Sequence, residues 1–528
     1  MPDLSGVVAD SFRRGRGQLC FSVLAGKPIL ISMPKKASLP CVGDVMARRS
    51  VRATALATAC VAVLATSCVT NPATGESMLS LVSESQEIQM GREAARQVDA
   101  TIGLYDDPAL QAYVSGVGGR LAASSERPHL PWTFKIVDDP QVNAFALPGG
   151  FLYVTRGILA YFNSEAELAS VLGHEIGHVT ARHSVEQISR QQLFGLGLGV
   201  GSIFVDEIRQ FGDVIGSGLG LLFLKYSRDD ERQADDLGLR YMRRESYAVE
   251  AMVDMFTLLE RKAEVEGASA LPTWASTHPS PVDRRERTLA AIVESPSAPD
   301  AVFGRDRYLE KIDGMIFSNP REGYFEGSLF LHPELEFRID FPAGWQGKNT
   351  RSSVFGVSPN RDAVIQLSLA EGRSPERALR DFLGGEGIRG GDVSRTTING
   401  LAAAAAEFGA STQQGALRGL AVFLSHGSRL YRLLGYASAG QYRSFESTIE
   451  RSFGTFDRLT DPRVLAVQPA RVKLVTVDRA MPIGEVGRRH AASVDAAALA
   501  LLNGLAPGKR VPAGASVKVV IGGEVPRR

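Results

Sequence analysis

Two histidines four residues apart, in His174-Glu175-Ile176-Gly177-His178, are the residues whose types and spacing point most directly to chemistry. On a helix, positions i and i+4 share a face, so both imidazoles address one point and Glu175 faces the same open side. Neutral imidazole suits Zn²⁺, and a zinc ion draws the pKa of a water in its open position towards about 7, which makes hydroxide available at neutral pH. Glu175 is placed to take the proton. The competing reading is a surface helix that carries two histidines by chance. With 8 histidines in 528 residues, that coincidence is rare, and the neighbouring signals outweigh it.

A catalytic zinc requires a further protein ligand from elsewhere in the chain. Glu231 is the best candidate, 231 − 178 = 53 residues after His178, in a segment from Tyr226 to Gly238 that reads as a helix starting near Asp229 or Asp230. Glu231 and Asp235 share one face of that helix. One can bind zinc while the other accepts the spare N–H of a liganding histidine, with His174 the natural partner. Alone, such an acidic helix reads as a solvated face; its pairing with the two histidines reverses this. His183 lies five residues after His178, rotated about 140° if the helix continues, so a structural or surface role is expected. His278, in Ser276-Thr277-His278-Pro279-Ser280-Pro281, falls in a loop because the prolines forbid a regular helix. It either faces solvent, or stabilises the oxyanion, or occupies the open zinc position as a switch.

These residues, with Asn143-Ala-Phe-Ala-Leu-Pro-Gly-Gly-Phe-Leu-Tyr-Val-Thr-Arg156 and the lead-in Thr70 to Gly75 and Ser83 to Ala94, resemble the HtpX and CAAX prenyl protease family of gluzincin metallopeptidases. The likeness is to its soluble bacterial branch of periplasmic lipoproteins, the beta-barrel assembly-enhancing protease-like group, over roughly residues 68 to 300. The resemblance implies a zinc-dependent endopeptidase of the cell envelope that acts on misfolded or misassembled proteins. It implies one Zn²⁺ per subunit on His174, His178 and Glu231, with Glu175, Asp235 and His278 as catalytic residues. The alternative is an envelope chaperone or scaffold whose zinc is structural or self-inhibited.

The elements that must position these groups follow. Phe145, Leu147, Leu152 and Val154 are strand formers around a Pro148-Gly149-Gly150 turn. An exposed edge there, at Asn143, Ala144 and Phe145, can bind an extended peptide by β-augmentation, as the family does; the plain reading is a hairpin packed on the core. The Gly- and Leu-rich stretch 193–224 is too short in either apolar arm to span a bilayer, and reads as close packing between the two ligand-bearing helices, or as a flap or lipid contact.

The expected architecture is multidomain: a mainly α zinc metallopeptidase domain with a small β-sheet at 68–300, an α+β domain at 320–460 and a small LysM-like C-terminal module at 465–528. In the middle region Leu335–Phe341, Val364–Leu369, Ala421–His426 and Arg429–Leu434 read as strands, and Pro375–Leu383 and Gln441–Ser452 as helices. In its own family a LysM-type module binds peptidoglycan, which makes that polymer a candidate partner; a plain packing domain fits equally. No tandem helical repeat is present at a fixed period.

Residues 46–67 have a basic start, a short apolar run and a small-residue exit, as a secretory signal does, with Cys68 next. This resembles a bacterial lipoprotein signal with Cys68 lipidated and residues 1–45 an upstream extension, so that the chain is anchored to a membrane in the periplasm. The four cysteines are Cys20, Cys41, Cys60 and Cys68, so a chain processed at Cys68 has no possible internal disulfide. A net charge of +1, from 59 basic and 58 acidic residues, gives no footprint for nucleic acid.

Overall fold

The computed structural model describes residues 68–198, 225–266, 274, 278, 281–412, 415–506 and 508–526. The upstream extension, the signal segment and residues 199–224 of the Gly-rich stretch lie outside the described residues. Among those described, no helix is long and apolar enough to cross a membrane.

The chain enters as a short antiparallel hairpin, β1 (Cys68–Thr70) and β2 (Ser77–Leu79), with Cys68 opposite Leu79. Helix α1 (Glu84–Thr101) starts with a capping box: the Ser83 hydroxyl accepts from Gln86 N, and the Gln86 side chain accepts from Ser83 N. Helix α2 (Pro108–Ala123) is capped by Asp107, whose carboxylate accepts from Leu110 N, and its proline sits where no N–H is needed. Strands β3 (Thr133–Val137), β4 (Ala144–Leu147) and β5 (Phe151–Thr155) form a sheet of order β3-β5-β4, parallel between β3 and β5 and antiparallel between β4 and β5. The β4–β5 turn is at Pro148-Gly149-Gly150, as the sequence indicates; Gly149 has φ +79° and packs so closely that a Cβ there would lie 2.6 Å from Ile88 Cα.

Helix α3 (Arg156–Tyr161) leads into α4 (Glu165–Thr180), capped by the Ser164 hydroxyl on Glu167 N. Every residue of α4 is buried. A helix covered on all sides is a core element, and its polar residues must find partners inside the protein. Then follow α5 (His183–Leu198), α6 (Arg228–Arg244), α7 (Glu250–Glu266), α8 (Pro281–Glu294) and α9 (Arg305–Ile312). Helices α4 and α6 cross through small residues: a Cβ on Gly173 would lie 3.3 Å from Gly238 Cα, and one on Gly177 would lie 2.9 Å from Ala234 O. The close packing of the two ligand-bearing helices, expected from the Gly-rich stretch 193–224, is made by Gly173, Gly177 and Gly238 within the helices themselves.

The rest of the chain is β-rich. The strands expected in the middle region occur as Phe337–Asp340, Ala363–Ala370, Gly415–His426 and Arg429–Ser438, and the helices as Pro375–Leu383 and Tyr442–Gly454. An eight-stranded antiparallel sheet carries both helices on opposite faces: Leu433 packs with Ile449 of one, and the adjacent Leu434 with Leu379 of the other. Near the C-terminus, strand Ala470–Thr476, helices Ile483–Arg489 and Ala496–Leu502, and strand Ser516–Ile521 follow in order. The two strands pair antiparallel, and Ile316–Ser318 joins Ala470–Thr476 from the other side. This segment packs into the core around α4: Val472, Leu502 and Val520 belong to the same apolar cluster as Leu168, Val171 and Leu172. Lys518 is fully buried there, donating to Ala160 O at 2.8 Å and Phe162 O at 2.6 Å, at the end of the helix that precedes α4.

The crossing of α4 and α6 leaves no room for branching. Gly177→Val is expected to lose about 1–3 kcal/mol of stability through overpacking, measured as a shift of the urea midpoint; a variant as stable as wild type would contradict this account of the crossing.

Candidate metal centre

Helix α4 presents His174 and His178 one turn apart, with their Nε2 atoms 3.0 Å from each other. Two imidazole nitrogens so placed cannot both carry protons, and when each ring carries its proton on Nδ1 both Nε2 lone pairs face a shared cation position. Helix α6 brings Glu231 to the same point: Oε2 is 3.6 Å from His174 Nε2 and Oε1 is 3.5 Å from His178 Nε2. The segment between α7 and α8 brings His278, whose Nδ1 is 3.2 Å from His174 Nε2 and 2.9 Å from Glu231 Oε1. In a tetrahedral zinc shell with bonds of about 2.0–2.2 Å, neighbouring donors lie about 3.3–3.5 Å apart. The separations of 2.9–3.6 Å here bracket that value, with three imidazoles and one carboxylate, all buried. The donor set therefore fits zinc.

Each donor is held from behind. Asp235, one turn after Glu231, has Oδ1 2.9 Å from His174 Nδ1, so His174 donates there and turns its Nε2 to the cation site, as the i, i+4 spacing indicates. His178 Nδ1 is 2.9 Å from Nδ1 of His183. The sequence reading placed His183 away from the site by continuing the helix. Instead α4 ends at Thr180, Arg182 takes φ 62°, and a new helix starts at His183, which swings its ring back onto His178. Arg182 is fixed in that strained conformation by Glu87 Oε2 at 2.9 Å and Val82 O at 2.9 Å. Trp274 stacks on His278 with ring centres 4.6 Å apart, and Tyr226 stacks on His178 at 3.9 Å.

Arg284, from α8, is the cation that sequence reading missed. Its guanidinium donates to Asp235 through Nε at 2.8 Å and Nη2 at 2.6 Å, and reaches Glu231 Oε2 with Nη1 at 2.5 Å. It also lies over the ring faces of Phe256 and Trp274. The signal available in the sequence was charge balance: Glu175, Glu231 and Asp235 cannot be buried together without a cation. For Glu231, burial favours the protonated form, but the charges of His278 and Arg284 outweigh it and hold the carboxyl well below its ordinary range. Asp235 is held low in the same way, burial being outweighed by Arg284. Burial, aided by Arg284, pushes His174 down to about 3, so the imidazole is neutral and available as a ligand.

Glu175 is buried beside the donors, with Oε1 3.5 Å from His278 Nε2 and accepting no hydrogen bond. Burial pushes its carboxyl up to about 7, with His178 opposing and Glu231 adding to the shift. A carboxyl tuned near neutrality can both take and return a proton.

The strand expected to bind substrate is the edge of its sheet, but Ala144 and Phe145 are buried, Phe145 stacked on Tyr153 under α1 and Ala144 in the main core. Asn143 turns its O to Thr155 N at 3.0 Å and is half-buried. Only the outer backbone edge is left to face a peptide, and next to it Trp274 N lies 3.4 Å from Val142 O. Cys68 is the first residue of β1.

The sequence model of the family described as "Peptidase family M48" matches residues 108–292, which hold every donor of the site. Over 222 residues the chain is 32% identical to the Beta-barrel assembly-enhancing protease of Yersinia pestis, covering 40% of this chain and 45% of that protein. It is 30% identical over 225 residues to the Beta-barrel assembly-enhancing protease of Escherichia coli K12, covering 41% and 45%. To the Mitochondrial metalloendopeptidase OMA1 of Schizosaccharomyces pombe it is 36% identical over 206 residues, covering 38% and 59%. The chain thus spans about half the length of the relatives it matches.

Removing Arg284 tests the charge balance. Arg284→Leu should cost the zinc-free protein about 3–5 kcal/mol by leaving two buried carboxylates without their cation, and added zinc should stabilise it more than it stabilises wild type. Melting curves with and without zinc report both; an unchanged zinc-free stability would contradict the role given to Arg284.

Proposed function

We propose that the chain, whose residues 108–292 match the family described as "Peptidase family M48", is a zinc-dependent endopeptidase, and the observation that carries the proposal is the convergence of His174, His178 and Glu231 beside the buried Glu175 carboxyl. When bound, zinc supplies Lewis-acid polarisation and a low water pKa. His174, His178 and Glu231 hold the ion, and Asp235 keeps His174 in the tautomer that leaves Nε2 free. Glu175 takes the proton of the attacking water and returns it to the leaving amine; a pKa near 7 suits both steps. The outer edge of β4 pairs with the peptide backbone and brings its carbonyl to the site.

His278 gives the site a second state. Its Nδ1 stands where a fourth ligand belongs, 2.9 Å from Glu231 Oε1 and 3.2 Å from His174 Nε2, so the arrangement is closed by protein donors. A structural zinc is closed in this way, whereas catalysis needs an exchangeable position. We read this as the resting state of the hydrolase, from which His278 withdraws when a substrate binds. Permanent closure is the scaffold reading.

The name of the bacterial relatives, Beta-barrel assembly-enhancing protease, supports a cell-envelope setting; misfolded or misassembled envelope proteins as substrates rest on the family resemblance alone. Secretion and lipid attachment at Cys68 fit the basic-apolar-small pattern before it. Peptidoglycan binding by residues 465–528 rests on the strand–helix–helix–strand order of that segment and on its likeness to LysM modules.

Cleavage of unfolded casein, with and without a chelator and zinc add-back, tests this reading. Zinc-dependent cleavage should fall by at least about 10²-fold in Glu175→Gln with zinc still bound, and should rise in His278→Ala if that histidine restrains the site. Chelator-resistant cleavage, or full activity in Glu175→Gln, would refute the mechanism, and silence in all three proteins with zinc bound would favour the scaffold.

A further inference from the structure

The environment of His178 contains a chain of hydrogen bonds that runs out of the site to the first hairpin of the described chain. The backbone N–H of Ala73, which can only donate, lies 2.9 Å from Asn71 Oδ1. That contact fixes the orientation of the Asn71 amide, so its Nδ2 group donates onward, to Gln233 Oε1 at 3.2 Å. Gln233 Oε1 can only accept, and it lies 2.9 Å from His183 Nε2, so His183 carries its proton on Nε2. Neutral His183 then has a bare Nδ1, which lies 2.9 Å from His178 Nδ1. His178 must donate there, and its Nε2 is left as the lone pair that faces Glu231 and His174. With His183 neutral, every step follows from one backbone amide, and Asn71, His183 and His178 are buried.

We propose that His183, supported by Gln233 and Asn71, is the positioning residue that sets the tautomer and ring orientation of the metal ligand His178. The two histidines of α4 are thus served differently: His174 by a carboxylate, Asp235, and His178 by a neutral relay. Glu231 reaches both histidines, with Oε2 3.6 Å from His174 Nε2 and Oε1 3.5 Å from His178 Nε2, and the neutral relay orients the His178 ring without burying a further charge. The relay also makes the hairpin Cys68–Leu79 part of the metal centre, since Asn71 sits between its two strands. The proposal rests on the metal-binding reading above.

Two measurements on the full chain separate the relay from that reading. Long-range proton–nitrogen spectra of ¹⁵N-histidine-labelled, zinc-free protein near neutral pH report ring tautomers without any metal. His183 is expected as the Nε2–H form and His178 as the Nδ1–H form, and Gln233→Met should blur both assignments. An Nε2–H form of His178 overturns the relay, whatever zinc does. Zinc affinity by competition with a chromophoric chelator gives the second readout. His183→Leu should bind zinc about 10–100-fold more weakly, while His183→Gln, whose amide oxygen can accept from His178, should recover to within about threefold of wild type. A folded His183→Leu that binds zinc as wild type does, or a His183→Gln as weak as His183→Leu, overturns the proposal. Should His183→Leu not fold, Gln233→Met and Asn71→Ala carry the same test, each with a smaller loss expected and none contradicting. Wild type that binds no zinc sinks the metal reading, with the tautomer spectra still deciding the relay.

Discussion

The close crossing of α4 and α6 is the constraint on which the site depends. His174 and His178 belong to one helix, Glu231 and Asp235 to the other, and small residues at the contact let His174, His178 and Glu231 meet over one point with Asp235 behind His174. Gly173, Gly177, Ala234 and Gly238 keep the backbones near each other, so the ligands are placed by helix geometry rather than by loops. The glycines weaken both helices, by about 1 kcal/mol each relative to alanine. Burial of α4 on every side offsets that weakness, with α2, the β3-β5-β4 sheet, α7 and the C-terminal segment all contributing to the surrounding core.

Burying such a helix imposes a second demand, because its polar side chains have no water to turn to. The protein answers with paired groups at each end of α4. At the start, Glu165 accepts from Tyr113 at 2.7 Å, Tyr247 at 2.7 Å and Arg120 at 3.0 Å. At the end, Arg127 donates to Val179 O at 2.9 Å and pairs with Glu87, which also holds Arg182. That last contact holds Arg182 at the break between the helices, beyond which His183 turns back to His178. In the middle, Arg284 balances Glu231 and Asp235. The metal centre is one part of a connected set of buried charges, and this explains how a carboxyl such as Glu175 can be kept near neutrality while Glu231, close by, stays ionised.

Much of this was legible in the chain itself, and the rest was hidden for identifiable reasons. The convergence of His174, Glu175 and His178 and the shared face of Glu231 and Asp235 follow from helical spacing, which is local and regular, whereas the meeting of the two helices 53 residues apart was legible only through the family resemblance. The turn at Gly149 and helix Pro375–Leu383 follow from punctuation by proline and glycine and from a capping serine. His183 was misplaced because nothing in Thr180-Ala181-Arg182 stops a helix; at the break Arg182 is held by Glu87, 95 residues away in sequence. Arg284 was overlooked because a guanidinium on an amphipathic helix looks like a surface group until its partners are known. The strand expected to bind substrate lies at a sheet edge, but its side chains are buried in the core, which a run of apolar residues at a sheet edge does not reveal.

In the proposed resting site three imidazoles and one carboxylate, from His174, His178, His278 and Glu231, would surround a single zinc ion, with His278 as the replaceable member. X-ray absorption at the zinc edge measures this directly. The account predicts a four-coordinate site with about three nitrogen and one oxygen neighbours at about 2.0–2.1 Å, and exchange of one imidazole for a light oxygen scatterer in His278→Ala. A site that keeps the same imidazole count in His278→Ala, or a six-coordinate oxygen shell in the wild type, would contradict it.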